Sequence, residues 1–144
     1  MFTSVNTRAA SAYKRVAAET GVQGADPHQL VGMLYDALLQ AMNQARGAIE
    51  RGEVQAKGAA LGKAVRILEE GLKAGLNLRE GGELASNLKG LYEFSVKRLT
   101  HANLRNDGAA VAEVVELIEP LAQSWQQIRG AVTAMPSPAA GQGA

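Results

Sequence analysis

A chain of 144 residues has material for one core and not comfortably for two, and its net charge of +1, with 15 basic against 14 acidic residues, removes the usual electrostatic argument for nucleic acid or an anionic membrane as partner. The absence of cysteine excludes disulfides and thiol chemistry. Hydrophobic residues make up 47 %, much of it alanine, so a thin core of closely packed helices is expected. No apolar run approaches the ~20 residues of a transmembrane helix, and residues 1–10 lack a signal-peptide core, so a cytoplasmic protein is expected.

In chain order, Thr7 predicts a cap for a short helix over residues 7–20, with Ala9, Ala12, Tyr13 and Val16 on one face and Gly21 past its end. Residues 21–25, with Gly21 and Gly24, read as a linker. Asp26-Pro27 is a strong helix start, supported by Gln29 in a capping-box-like position. The long helix that follows carries Leu30, Leu34, Leu38, Met42, Ala45 and Ile49 at spacings of three and four, widened by Tyr35 and Leu39, and Gly52 ends it. A second helix over residues 53–76 turns Leu61, Val65, Leu68, Leu72 and Leu76 inward. The paired Gly81-Gly82 predicts a turn over residues 77–82. A third helix over 83–104 carries Leu84, Leu88, Leu91, Ser95, Leu99 and Ala102. Asn106-Asp107-Gly108 reads as a turn with Asp107 as cap. The fourth helix carries Val111, Val114, Ile118, Leu121, Trp125, Ile128 and Val132, with Trp125 expected in the core and Pro120 expected to kink the helix or free one carbonyl. From Pro136 the composition is that of a disordered tail.

Short connections favour antiparallel neighbours, so the pattern predicts an all-α fold, an antiparallel four-helix bundle with a short N-terminal satellite helix. Its parts are a mobile segment over residues 1–25, the bundle over 26–134 and the tail over 135–144. Eight glycines fall inside predicted helices: Gly32, Gly47, Gly58, Gly62, Gly71, Gly75, Gly90 and Gly130. They point either to close backbone packing or to a soft bundle that yields to a partner.

Nothing in the chain reads as a catalytic or metal motif, and no cofactor is expected. His28 and His101 have no second ligand at helical spacing, and the Glu-x-x-His pairs of di-metal bundles are absent. Gly81-Gly82 has neither the preceding strand nor the Lys-Ser/Thr of a phosphate loop. Glu113, Glu116 and Glu119 read as a solvated face. Lys63, Arg66 and Lys73 are interleaved with Glu69 and Glu70, a mixed surface rather than a nucleic-acid stripe. What stands out is a repeated phrase, Leu34-Tyr35-Asp36 and Leu91-Tyr92-Glu93, in a chain with only six aromatic residues. A tyrosine in this setting is either core, its hydroxyl meeting a partner, or an anchor at the edge of a shallow groove. The residues alone leave both open, but the whole points to a helical protein that binds another chain.

Over residues 9–128 the sequence resembles the flagellar secretion chaperone family FliS. The resemblance runs through Tyr13 and Val16, the stretch from Asp26-Pro27-His28-Gln29-Leu30 to Leu34-Tyr35-Asp36-Ala37-Leu38, then Lys63-Ala64-Val65-Arg66-Ile67-Leu68. It is strongest at Asn87-Leu88-Lys89-Gly90-Leu91-Tyr92-Glu93-Phe94, and continues in Leu99, Ala102, Asn103 and Trp125. Asp26 stands where the family usually has Ser or Thr, and is an equally good cap. The fourth position after Leu38 is poorer in leucine than the family pattern, which implies a shallower groove.

The resemblance implies a cytosolic export chaperone, not an enzyme. It would bind the disordered C-terminal segment of flagellin, prevent premature polymerisation and deliver it to the cytoplasmic domain of the membrane-bound type III export gate. It implies a flagellin groove formed by Tyr13, Leu34, Tyr35, Leu38, Asn87, Leu91, Tyr92 and Asn103, with Tyr13 also docking to the gate. A monomer binding its client 1:1 is expected. A generic helical adaptor or signalling bundle is the alternative, although neither His28, at a helix start, nor His101, near a helix end, suits phosphotransfer. The N-terminal segment would either occlude the client groove or clamp the client.

Overall fold

The computed structural model describes the backbone of residues 27–134 and the side chains of residues 27–128. The predicted helix over 7–20, its linker, the Asp26 cap and the tail over 135–144 lie outside the described residues. Within them are helices α1 (Pro27–Arg51), α2 (Val54–Arg66), α3 (Leu78–Arg105) and α4 (Gly108–Ala134), with α2 running on as a π-helical segment over Ile67–Lys73. This is an all-α helical bundle, as the sequence predicts.

The turns are written in local chemistry. Gly52, at φ +69°, ends α1; its N–H bonds to the Ile49 carbonyl at 3.2 Å, and the Glu53 N–H bonds to the Ala48 carbonyl at 2.9 Å. This paired closure suits a residue without Cβ. Asn106, at φ 53°, ends α3 in the same manner, the Asp107 N–H reaching the Ala102 carbonyl at 3.0 Å. Asp107 then caps α4, its Oδ1 accepting from the Ala110 N–H at 3.2 Å. Both turns stand where the sequence places them.

Between α2 and α3 the structure departs from the expected pattern. The second helix widens into π geometry, with the Ala74 N–H bonding to the Glu69 carbonyl at 3.2 Å, and then tightens as Gly75 bonds to Gly71 and Leu76 to Lys73. The third helix starts one turn earlier than residue 83. Asn77 caps it by accepting from the Glu80 N–H at 3.1 Å and donating to the Glu80 carboxylate at 3.3 Å. The glycine break is real but lies inside α3, at Gly82 (φ 56°, ψ −132°).

Each helix packs on its chain neighbours, and α4 closes the ring on α1; α1 and α3 stand diagonally, with no Cα atoms within 8 Å of each other. Leu34, Leu38, Met42, Leu61, Leu68, Leu99, Val111, Val114 and Ile118 form the buried centre. Alanines 41, 45, 60, 64, 102 and 110 line the core where helices approach closely. At one end Lys57 is buried, its Nζ donating to the Asn103 carbonyl at 2.8 Å and to Asn106 Oδ1 at 2.5 Å. A cation from α2 thus closes the C-terminus of α3, where free carbonyls and the helix dipole favour it.

The interior glycines divide. A Cβ at Gly71 would lie 3.1 Å from both methyls of buried Leu34, whereas one at Gly90 meets nothing within 4 Å. Gly71→Ala is therefore expected to lower the urea midpoint: about 1–3 kcal/mol of overpacking outweighs the roughly 1 kcal/mol of helix propensity regained. Gly90→Ala should raise the midpoint by about 0.5–1 kcal/mol. Equal gains in the two variants would contradict close packing at Gly71.

Candidate functional site

The repeated Leu-Tyr-acid phrase is resolved by a cross-bundle contact. Tyr35 of α1 and Tyr92 of α3 are 4 % and 2 % exposed, and their hydroxyls meet at 2.6 Å. Each ring spans half of the diagonal, and each polar tip satisfies the other. Burial pushes the Tyr35 phenol pKa up, while the hydrogen bond from Tyr92 pulls it partly back. Leu34 and Leu38 are buried in the same core. Leu34, Tyr35, Leu38 and Tyr92 therefore underlie the bundle surface rather than forming it. Asn87 is exposed on α3 and Leu91 half-buried beside it; Asn103 is exposed at the far end of α3, its carbonyl held by Lys57. Tyr13 lies outside the described residues.

The two flanks of α3 differ. On one, Lys73 of the π segment bonds to Glu69 and Glu93, each at 3.1 Å, and Lys89 stands 3.9 Å from Glu93. The hydrogen bonds to Glu69 and then Glu93 raise the Lys73 pKa, and the bond from Lys73 lowers that of Glu93. On the other, Arg98 clasps Glu113 of α4, Nη2 and Nε lying 2.9 and 3.1 Å from Oε1. Stepping along that flank by the helical period away from the clasp leads on α3 to Phe94, Leu91, Asn87 and Leu84, and on α4 to Leu117, Leu121 and Ile128. Leu84 is 69 % exposed, Phe94 41 %, Leu117 37 % and Ile128 53 %. Leu91 and Leu121 are half-buried. An apolar strip thus borders the α3–α4 seam.

The periodicity expects Leu84 and Ile128 inward; both sit on the edge of their stripe, and Ala85 is buried in place of Leu84. Phe94 was the legible signal, a large apolar residue off the core stripe of α3. Trp125, expected in the core, is half-buried; it donates from Nε1 to the His28 carbonyl at 2.9 Å and stacks on the His28 ring. Among the described residues no group of three or more His, Cys, Asp or Glu is placed to hold a metal ion, and no helix is long and apolar enough to cross a membrane.

The family model for flagellar protein FliS matches residues 9–132, nearly the whole chain. The chain belongs to the FliS family. It is 49 % identical over 117 residues to the flagellar secretion chaperone FliS of Salmonella typhimurium, covering 81 % of this chain and 87 % of that one. It is 40 % identical over 116 residues to the FliS chaperone of Escherichia coli, covering 81 % and 85 % of the two chains. It is also 40 % identical over 121 residues to the flagellar secretion chaperone FliSB of Pseudomonas aeruginosa, covering 84 % and 95 %. The family is one of chaperones, not of enzymes, and membership implies a client from flagellar export.

The Tyr35–Tyr92 pair of this FliS-family bundle carries a pH signature. Because the buried Tyr35 phenol holds its proton above the ordinary value of 10.0, the unfolded chain loses that proton first as pH rises. The contribution is fully present below the unfolded pKa and is lost as pH climbs toward the folded one. The urea midpoint of the native protein should therefore fall more steeply between about pH 9 and pH 11 than that of Tyr35→Phe. Parallel curves would place the Tyr35 hydroxyl in water.

Proposed function

We propose that this chain is a cytoplasmic export chaperone that binds the disordered C-terminal segment of a flagellin 1:1. Binding keeps that segment from polymerising and delivers it to the flagellar type III export gate. The observation that carries the reading is the exposed apolar strip along α3 and α4 among the described residues, in a family whose named relatives are flagellar secretion chaperones.

The physics suits such a client. A disordered segment with an amphipathic pattern folds when its apolar face finds a groove, reading out anchors at helical spacing. Ordering it costs about 2–5 kcal/mol or more, which buried apolar area must exceed. Phe94, Leu84, Leu117 and Ile128 offer that area at no cost to the bundle's own core. In this proposal the client-contact set shifts outward from the tyrosines: Asn87 and Leu91 stay in it, Leu84, Phe94, Leu117, Leu121 and Ile128 join it, and Leu34, Tyr35, Leu38 and Tyr92 support it from beneath. Asn103 would contact only a client that wraps past the Lys57 end. The bundle of residues 26–134 is the chaperone body, and Tyr13, in the segment of residues 1–25 that precedes it, docks to the gate, as the family resemblance implies.

Titrating the C-terminal segment of flagellin with the full chain should give 1:1 binding and a gain of helix by far-UV circular dichroism. Phe94→Asp should weaken binding about tenfold to a hundredfold, the equivalent of about 1.5–3 kcal/mol for one aromatic anchor, with an unchanged melting temperature. Absence of binding at micromolar concentration rejects the reading. Unchanged affinity in Phe94→Asp rejects the strip as its seat.

A further inference from the structure

Helix α4 has two unlike halves. Val111, Val114 and Ile118 are fully buried; past Pro120, Leu121, Ala122 and Trp125 are half-buried and Ile128 is 53 % exposed. Pro120 has no N–H, so the Glu116 carbonyl loses its intrahelical donor at the junction, and both residues are exposed. The far half is therefore joined to the near half across the weakest step of the helix.

Leu121 and Ala122 pack on the core where the far half begins, and beyond them, among the described residues, Trp125 makes the ring and hydrogen-bond contacts to α1. The Trp125 indole stacks on the His28 imidazole, with centroids 4.4 Å apart and planes 17° apart, while its Nε1 donates to the His28 carbonyl at 2.9 Å. One turn along α1, the place of a Cβ on Gly32 is 3.5 Å from Trp125 Cδ1, so the bare backbone lets the indole lie close. The Tyr35 ring is tilted toward it at 6.4 Å. All of these contacts fall on the opening turns of α1. The attachment is also imperfect: His28 Nε2 is buried with no hydrogen-bond partner among the described residues. Opening would return that nitrogen to water, which offsets part of what the stack gains.

We infer that α4 beyond Pro120 is an arm, hinged at Pro120 and latched to the start of α1 by Trp125 on His28. An open arm uncovers the His28–Gly32 face of α1 and carries Leu121 and Ile128 away from α3. Regulation of the apolar strip by this arm rests on the flagellin reading; the latch itself does not.

The test uses the full chain without client. Native-state hydrogen exchange read by mass spectrometry should show a step at Pro120, with amides of 121–134 exchanging together and faster than those of 110–118. His28→Ala should speed exchange over 121–134 about tenfold, the size that stacking and one hydrogen bond jointly supply. It should leave 110–118, α2 and α3 unchanged. Emission from Trp125, the sole tryptophan, should shift to the red in the same variant. A smooth gradient rising toward residue 134 with no step is ordinary end fraying and overturns the hinge. Equal acceleration throughout the bundle in His28→Ala overturns the latch, since the pair would then be a common structural contact.

Discussion

The hydrogen bond between two buried phenols fixes the width of this bundle. Alanine-lined seams draw neighbouring helices together, but the α1–α3 diagonal lies beyond backbone contact and needs long side chains to fill it. Tyr35 and Tyr92 reach from either side and end in groups that are costly to bury alone and inexpensive to bury together. Once that pair sets the rotation of α3, the rest of the helix follows. Glu93 is presented to Lys73, Arg98 to Glu113, and the leftover apolar side chains Leu84, Leu91 and Phe94 face outward along the α4 seam.

Local and periodic features were legible in the sequence because they depend on residues close in the chain. The stripe Leu34–Leu38–Met42–Ala45 is buried as its spacing requires, and Gly52 and Asn106-Asp107 end and restart helices by chemistry confined to a few residues. The features that were not legible all depend on a partner far along the chain. The tyrosines could be core or groove until the diagonal contact joined positions 35 and 92. Lys57 reads as a surface residue until the end of α3 is brought over it. The π segment leaves the apolar spacing of Leu61, Leu68 and Leu72 intact, so no period marks it; Gly71 inside it is explained only by the Leu34 methyls. The apolar strip needed knowledge of which flank of α3 faces α4, because it continues the line of the Arg98–Glu113 clasp.

The two ends of the bundle are secured differently. At the end formed by the α1–α2 and α3–α4 turns, Lys57 ties the last turn of α3 to α2 from a buried position, alongside two closed helix termini. At the opposite end the far half of α4 meets the start of α1 through one indole, next to a proline and a histidine nitrogen without a partner among the described residues. Stability distributed in this way is compatible with a chaperone that stays folded while part of its surface changes. The exposed strip lies beside the half of α4 beyond Pro120, so the proposed client surface and the proposed arm occupy the same side of the molecule.

The central claim is that the client is held by the outer strip and not by the tyrosine core. Methyl-resolved NMR of the full chain during titration with the flagellin C-terminal segment tests this most directly. If the strip holds the client, the methyls of Leu84, Leu91, Leu117, Leu121 and Ile128 shift in proportion and saturate at one equivalent, while those of Leu34, Leu38, Leu61, Leu68 and Leu99 keep their positions. Large shifts at the core leucines with the strip unmoved would contradict it, because the client would then be entering the bundle and displacing the tyrosine pair.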